Sequence, residues 1–264
     1  MKDSRLNICV VPMEISWGDK DNNLSRLDSI LSGVHPATDL VVLPETFSTG
    51  FPSPASVKES GIPGEETGGG TITTVKRLAR RYNLAIAGSF IAVDNGKYYN
   101  RAFFIEPTGD TYFADKAHLF SMAGEDELFD KGCRRMTVRY RSWNISMVIC
   151  YDIRFPIWCR NRNNEYDLLL IVANWPKVRI DAWNKLLYAR AIENQAYVAG
   201  VNCRGIDLSG FEYDGSSKII DFKGKEIASQ SDDLLYASLS LEKLESFRTK
   251  FPAWKDADDF ILRK

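Results

Sequence analysis

Histidine is nearly absent from this sequence, which contains only His35 and His118. Neither stands at ligand spacing from a cysteine, so the common zinc patterns are excluded and no metal or other cofactor is expected. Five cysteines (Cys9, Cys133, Cys150, Cys159 and Cys203) are scattered without CxxC spacing. An odd number, with no leader sequence in view, excludes a disulfide framework and points to reduced thiols in a cytoplasmic protein. The N-terminal Met-Lys-Asp-Ser-Arg precedes only a short apolar run, with no long hydrophobic region or cleavage signature. No window approaches the apolar length that spans a bilayer. Charge of one sign is also lacking: 34 Lys and Arg against 35 Asp and Glu leave a formal net charge of −1. That balance argues against a nucleic-acid or membrane surface, and the basic cluster Lys76–Arg81 falls on a helical pattern as a solvated face. No linker, low-complexity tract or internal repeat divides the chain, so residues 1–264 read as one domain.

What is present is a succession of buried strands and amphipathic helices. Leu6–Val11 reads as a first strand and Asp21–Ser32 as a helix, with Leu24, Leu27, Ile30 and Leu31 at helical spacing. Asp39–Leu43 is continuously apolar, as expected of a strand buried on both faces. Phe47–Gly70 is rich in Gly, Pro, Ser and Thr and reads as a long functional loop. Ile72, Val75, Leu78, Ala79 and Tyr82 outline a second helix. Leu84–Val93 and Tyr98–Glu106 form a hairpin through Asn95-Gly96, and Thr111–Asp115 follows. Lys116–Gly132 reads as a second functional loop. Arg135–Tyr140 and Asn144–Ile149 are strands, Phe155–Arg162 is helix-like, and Asp167–Ala173 is the most hydrophobic strand. A long helix spans Ile180–Asn194, followed by a strand at Tyr197–Asn202. Ser216–Asp221 and Lys225–Ala228 read as a hairpin, Leu234–Leu241 as a closing strand and Leu241–Arg248 as a last helix. The pattern predicts an α/β fold: a four-layer α-β-β-α sandwich of two mixed sheets with outer helices. The aromatic tail, about residues 250–264, has two readings: it covers an edge of its own sheet, or it reaches a second subunit.

Three reactive side chains each follow an apolar strand at once. Glu45 follows Val41-Val42-Leu43-Pro44, Lys116 follows Tyr112–Asp115, and Cys150 follows Ser146–Ile149. Taken singly, a carboxylate or lysine at a strand end is an ordinary solvated residue, and a free cysteine is an ordinary small buried hydrophobe. In conjunction they make a reaction centre. A free thiol has a pKa of about 8.5, so attack at neutral pH requires a nearby base. A fixed charge on Lys116 would stabilise the oxyanion formed on attack, with the backbone N–H of Tyr151 as second donor. A Cys150–His118 dyad would leave Glu45 and Lys116 without roles, so His118 reads as structural.

Leu43-Pro-Glu45, Asp115-Lys116-Ala-His-Leu-Phe and Cys150-Tyr-Asp-Ile-Arg-Phe-Pro resemble, in order, the glutamate, lysine and cysteine motifs of the nitrilase (carbon–nitrogen hydrolase) superfamily. The likeness continues through Val172-Ala-Asn-Trp-Pro176, Arg190-Ala-Ile-Glu-Asn-Gln-Ala-Tyr197 and Gly215-Ser-Ser. Trp175-Pro176 and the ending Phe251-Pro-Ala-Trp254 are most similar to the omega-amidase, YafV-like branch. The resemblance implies Cys150 as nucleophile, Glu45 as general base, and Lys116 with the Tyr151 amide as oxyanion hole. It also implies a second glutamate that orients the lysine, Glu125 when counted back from Gly132, with Glu127 as the alternative. It further implies the α-β-β-α sandwich and a homodimer.

The implied reaction is thiol-dependent hydrolysis of a small-molecule amide, the ω-amide of a 2-oxo acid such as 2-oxoglutaramate or 2-oxosuccinamate, through a cysteine thioester. Arg154 is the candidate for the substrate carboxylate, because a guanidinium binds one bidentately; an ion pair with Asp152 or Glu193 is the alternative. Phe47, Phe120, Phe155 and Trp175 are candidates for the pocket wall, with plain core packing as the alternative. Arg190 and Glu193 read as structural or interfacial. An N-carbamoyl amino acid hydrolase or a nitrilase would use the same trio, and a catalytically silent binding protein on the same scaffold is the reading from a different class.

Overall fold

The computed structural model describes residues 4–52, 57–58 and 61–261. Part of the long loop expected at Phe47–Gly70 lies outside them. Among the described residues two large sheets pack face to face. The first runs in the order β14 (Ser229–Ser231), β15 (Leu234–Ser240), β1 (Arg5–Val10), β2 (Leu40–Val42), β4 (Ala85–Asp94), β5 (Lys97–Ile105), β6 (Thr111–Asp115), with short β3 (Glu65–Glu66) beside β4. The second runs β13 (Lys218–Ile220), β10 (Tyr197–Asn202), β9 (Leu168–Ala173), β8 (Trp143–Ile149), β7 (Met136–Tyr140). Both are mixed: β1, β2 and β4 are parallel, as are β8, β9 and β10, while the outer pairs are antiparallel. A small hairpin of β11 (Arg204–Ile206) and β12 (Glu212–Asp214) stands apart.

Alternation explains why the central strands read as unbroken apolar runs. In β9, Leu168, Leu170 and Val172 face the other sheet, while Leu169, Ile171 and Ala173 face the helix α5 (Ile180–Asn194). In β1, Ile8 and Val10 join the inter-sheet core, whereas Cys9 lies in the outer layer under α1 (Lys20–Gly33) and α2 (Gly70–Tyr82). Side chains of period two thus find apolar partners on both faces. This is the expected four-layer sandwich. Helix α1 starts where Asp19 accepts the amide of Asn22, and it buries Leu27 and Leu31. Helix α2 turns Ile72, Val75, Leu78 and Ala79 inward and stops at Asn83, whose φ is +52°. Helix α6 (Leu241–Lys250) is anchored by Arg248, which donates to Asp167 at 2.8 Å and to the carbonyls of Gln195 and Tyr166.

Three expectations are corrected. Lys225–Ala228 forms no strand, only an isolated bridge between Ile220 and Glu226. The helix expected at Phe155–Arg162 begins earlier as a 3₁₀ turn over Cys150–Arg154, and the short α4 (Pro156–Cys159) follows, with proline at its first position where a missing N–H costs nothing. The Lys116–Gly132 loop contains a turn of helix, α3 (Glu125–Leu128). In the described part of the C-terminal tail, the Phe260 ring centre lies 5.7 Å from the Arg162 guanidinium. No helix of the described residues is long and apolar enough to cross a membrane.

Candidate active site

Glu45, Lys116 and Cys150 meet at one rim of the sandwich. Glu45 and Lys116 come from the first sheet, just past β2 and β6, and Cys150 from the second, just past β8. Two of these exits bend sharply. Thr46 has φ +40° and Cys150 φ +45°, a left-handed conformation uncommon for side chains with a Cβ and most costly for a β-branched residue. Strain of this kind persists where surrounding contacts over-determine it. Around Thr46 those contacts are its amide to Ser89 Oγ at 2.8 Å and its hydroxyl receiving Asn174 Nδ2 at 3.0 Å.

The turn that carries Cys150 is held from both ends. Asp152 accepts the Ile149 amide at 3.2 Å, the His118 amide at 2.9 Å, and contacts His118 Nδ1 at 2.8 Å. It therefore pins the cysteine turn to the segment following Lys116. Arg190 donates from Nε and Nη2 to the Ile153 carbonyl at 2.9 and 2.6 Å, and pairs with Glu193 through Nη1. His118 and Arg190 thus brace the turn.

The charged cluster is almost wholly out of water: the side chains of Lys116, Glu45 and Glu125 are 2%, 2% and 1% exposed. Lys116 Nζ lies 2.9 Å from Glu45 Oε1 and 2.7 and 2.9 Å from the two oxygens of Glu125. Burial opposes a charge on Lys116, but the two carboxylates outweigh it and hold the ammonium well above the ordinary lysine range. Burial raises the Glu125 carboxyl, with Lys116 acting in the opposite direction. Glu125 Oε2 also accepts the Phe120 amide at 2.6 Å. Glu127, the alternative for this position, is exposed.

Glu45 is aimed by two further donors, Asn100 Nδ2 to Oε1 at 2.7 Å and the Asn174 amide to Oε2 at 2.8 Å. Oε1 thereby receives two donors and Oε2 only one, which leaves Oε2 an acceptor position. The Cys150 thiol hydrogen-bonds to this carboxylate and lies 4.0 Å from the Asn174 carbonyl oxygen. Burial pushes this thiol well above its usual range, the Glu45 charge and its hydrogen bond push the same way, and Lys116 opposes them. The cysteine is consequently a protonated thiol at neutral pH, next to a carboxylate able to take its proton.

These groups form the floor of a cavity of about 370 Å³. Phe120, Tyr151, Arg154 and Trp175 line it. Trp175 is fixed by Asn202, which accepts its amide at 2.7 Å and donates to its carbonyl at 2.9 Å. Phe47 and Phe155 are corrected. Phe47 is 0% exposed and packs in the outer core, its ring 5.9 Å from that of Phe103. Phe155 stacks on His118 with ring centres 3.7 Å apart, behind the cavity wall. The alternative partners for Arg154 are engaged elsewhere, Asp152 by His118 and Glu193 by Arg190. The guanidinium of Arg154 lies instead 5.0 Å from the centre of the Trp175 ring.

Sequence reasoning missed Asn100, Asn174, Arg179 and the loop Asp207–Phe211 that closes one side of the cavity. Asn100 shares its strand with Lys97 and Arg101, so its polarity alone did not single it out. Asn174 acts on Glu45 through its backbone, which no side-chain pattern reveals. Among the described residues no three His, Cys, Asp or Glu side chains are grouped to hold a metal ion.

Comparison with known proteins gives a consistent result. The sequence profile of the carbon-nitrogen hydrolase family matches residues 7–249. The chain is 41% identical to the omega-amidase YafV of Escherichia coli K12 over 260 residues, covering 97% of this chain and 98% of that protein. It is 31% identical to the 2-oxoglutaramate amidase of Bacillus subtilis, covering 94% and 96% of the two chains. A carbon–nitrogen hydrolase superfamily protein of Xanthomonas campestris, which carries an arsenic adduct in its active site, superposes with a TM-score of 0.91 at 36% identity, covering 98% of this chain and 99% of that one.

Proposed function

The chain belongs to the carbon–nitrogen hydrolase family, a hydrolase of carbon–nitrogen bonds other than peptide bonds, and within that family we propose an omega-amidase that works through Cys150. Its substrates are the ω-amides of small 2-oxo dicarboxylic acids, such as 2-oxoglutaramate and 2-oxosuccinamate, and its products are the free acid and ammonia. The observation that carries the mechanism is Glu45, which contacts both Lys116 and the Cys150 thiol at the floor of a cavity with an arginine in its wall.

Each step follows from that geometry. Glu45 takes the thiol proton as Cys150 Sγ attacks the amide carbon. The oxyanion that forms is held by Lys116 and the Tyr151 N–H, one of the first amides of a helical turn and so without an intrahelical acceptor. As the tetrahedral species collapses, Glu45 returns the proton to the departing nitrogen and ammonia leaves. The thioester carbon is then attacked by water, which Glu45 deprotonates, and breaking the carbon–sulfur bond restores the thiol. Glu125 keeps Lys116 charged and in place throughout. Proton transfer by one positioned group of this kind contributes about 10²- to 10⁴-fold. Arg154 is the group we assign to the substrate carboxylate.

A homodimer and a cytoplasmic location complete the proposal. The exposed apolar side chains Ile157, Ile192 and Phe251 support the first, and five free thiols support the second. The test is ammonia release from a panel: 2-oxo acid ω-amides, glutamine, a carbamoyl amino acid and a simple nitrile. The proposal expects the 2-oxo acid amides to be turned over with the highest kcat/KM. Preference for the nitrile or the carbamoyl compound would overturn it.

A further inference from the structure

We infer that Arg179 is a specificity-determining residue: together with Arg154 it reads the 2-oxo acid end of the substrate and turns away the corresponding 2-amino acid. The inference rests on the omega-amide reading above. Both arginines line the cavity. The Arg154 guanidinium sits 5.0 Å from the centre of the Trp175 ring, and that of Arg179 sits 5.2 Å from the centre of the Phe120 ring. The two supports are linked, because Trp175 Nε1 donates to the Arg179 carbonyl at 2.9 Å.

Neither guanidinium has an ion pair or hydrogen bond among the described residues; Arg154 is exposed, but Arg179 is half-buried. The other shielded arginines behave differently. Arg101 is paired with Asp115, Arg248 with Asp167, and Arg190 with Glu193 and a backbone carbonyl. A partly desolvated charge is ordinarily paired, so the unpaired Arg179, in one cavity with the exposed Arg154, marks a place for an anion. Stacking on an aromatic ring occupies a guanidinium's face and leaves its N–H edge for hydrogen bonding. The carboxylate on that side of the cavity, Asp207, is already occupied. It accepts the amides of Ser209 and Phe211 and the hydroxyl of Tyr213, and so offers little to a ligand ammonium.

The ligand chemistry follows. A 2-oxo acid presents a carboxylate and an adjacent carbonyl oxygen, all acceptors, which two guanidiniums can share. A 2-amino acid places an ammonium at the same carbon, donor-only and of the same sign as both arginines. Two cations therefore admit the first and repel the second, whereas one arginine bound to the carboxylate alone distinguishes them poorly.

The experiment measures kcat and KM for 2-oxoglutaramate, glutamine and butanamide in the wild type, Arg179→Met and Arg179→Lys. In Arg179→Met, kcat/KM for 2-oxoglutaramate is expected to fall about 10- to 100-fold, the range for a charge contact in a partly desolvated site, chiefly through KM. The butanamide value stays unchanged, glutamine does not fall, and the oxo-to-amino ratio narrows. Arg179→Lys restores part of that ratio by keeping the charge. An unchanged ratio in Arg179→Met would overturn the inference. So would an equal fall in kcat for all three amides, which would make Arg179 only a support for Phe120. A wild type without preference for 2-oxoglutaramate would instead sink the omega-amide reading itself, before Arg179 comes into question.

Discussion

Lys116 Nζ is held by both oxygens of Glu125, at 2.7 and 2.9 Å, in a cluster closed to solvent. Glu125 also accepts the Phe120 amide, so it couples the ammonium to the loop that walls the cavity. In our account Glu125 touches no substrate and acts by positioning the oxyanion donor. Glu125→Gln should therefore lower kcat by about 10²-fold, the low end for loss of one such donor, and change KM little. A KM effect larger than the kcat effect, read from steady-state kinetics, would place Glu125 in substrate binding instead.

The raised Cys150 thiol gives a second test. Its folded pKa lies above the ordinary thiol value, because burial and the Glu45 charge favour the neutral form over Lys116's opposition. The thiolate fraction is thus small at neutral pH and grows only as pH climbs. Alkylation of Cys150 by iodoacetamide, followed by peptide mass spectrometry, should keep accelerating beyond pH 9. The exposed Cys133, alkylated in the same samples, serves as the control for reagent and peptide recovery. A plateau for Cys150 between pH 6 and 8 would reveal a preformed thiolate and contradict the assignment of Glu45 as its base.

Arg154 lies over Trp175 without a carboxylate partner among the described residues. Arg154→Met should raise KM for 2-oxo acid amides by about 10-fold or more, the worth of one charge-assisted contact, and leave uncharged amides nearly unaffected. Equal effects on both substrate types would return Arg154 to a structural role.

Stability has its own sensitive point away from the site. Arg248 and Asp167 form a pair in which each side chain is 8% exposed, and Arg248 also donates to two backbone carbonyls. Removing one partner strands a buried charge, at a cost of about 3–5 kcal/mol. Arg248→Ala should show that loss in chemical denaturation while kcat per folded molecule is preserved. A change below about 1 kcal/mol, typical of a surface pair, would mean that water reaches Asp167.

Much of the fold was legible because central strands buried on both faces must be apolar at every position. Leu40–Val42 and Leu168–Ala173 announce themselves in this way, and Glu45 and Cys150 are the first polar side chains beyond such runs, whereas Lys116 follows Asp115 at the end of the edge strand β6. The pocket walls were less legible. Phe47 stands only two residues beyond Glu45, yet the bend at Thr46 carries it into the outer core against Phe103. Phe155 shares a turn with Cys150 and Arg154 but is drawn off by stacking on His118. Aromatic residues suit core and cavity equally, so proximity in sequence does not decide between them. The Asn174 amide on Glu45 joins the two sheets across 129 residues of chain, and a backbone donor leaves no mark in composition or spacing. The Asp207–Phe211 loop is polar and turn-like and meets the site only through the fold.

The central claim is that Cys150 carries the acyl group. Rapid acid quench of the enzyme turning over a slow 2-oxo acid amide, followed by peptide mass spectrometry, tests it most directly. The account predicts the substrate's acyl mass on the peptide containing Cys150, and no such adduct in Cys150→Ala, which should keep its fold and lose turnover. Retained turnover in Cys150→Ala, or an acyl adduct on Cys159 or Cys203, would contradict it.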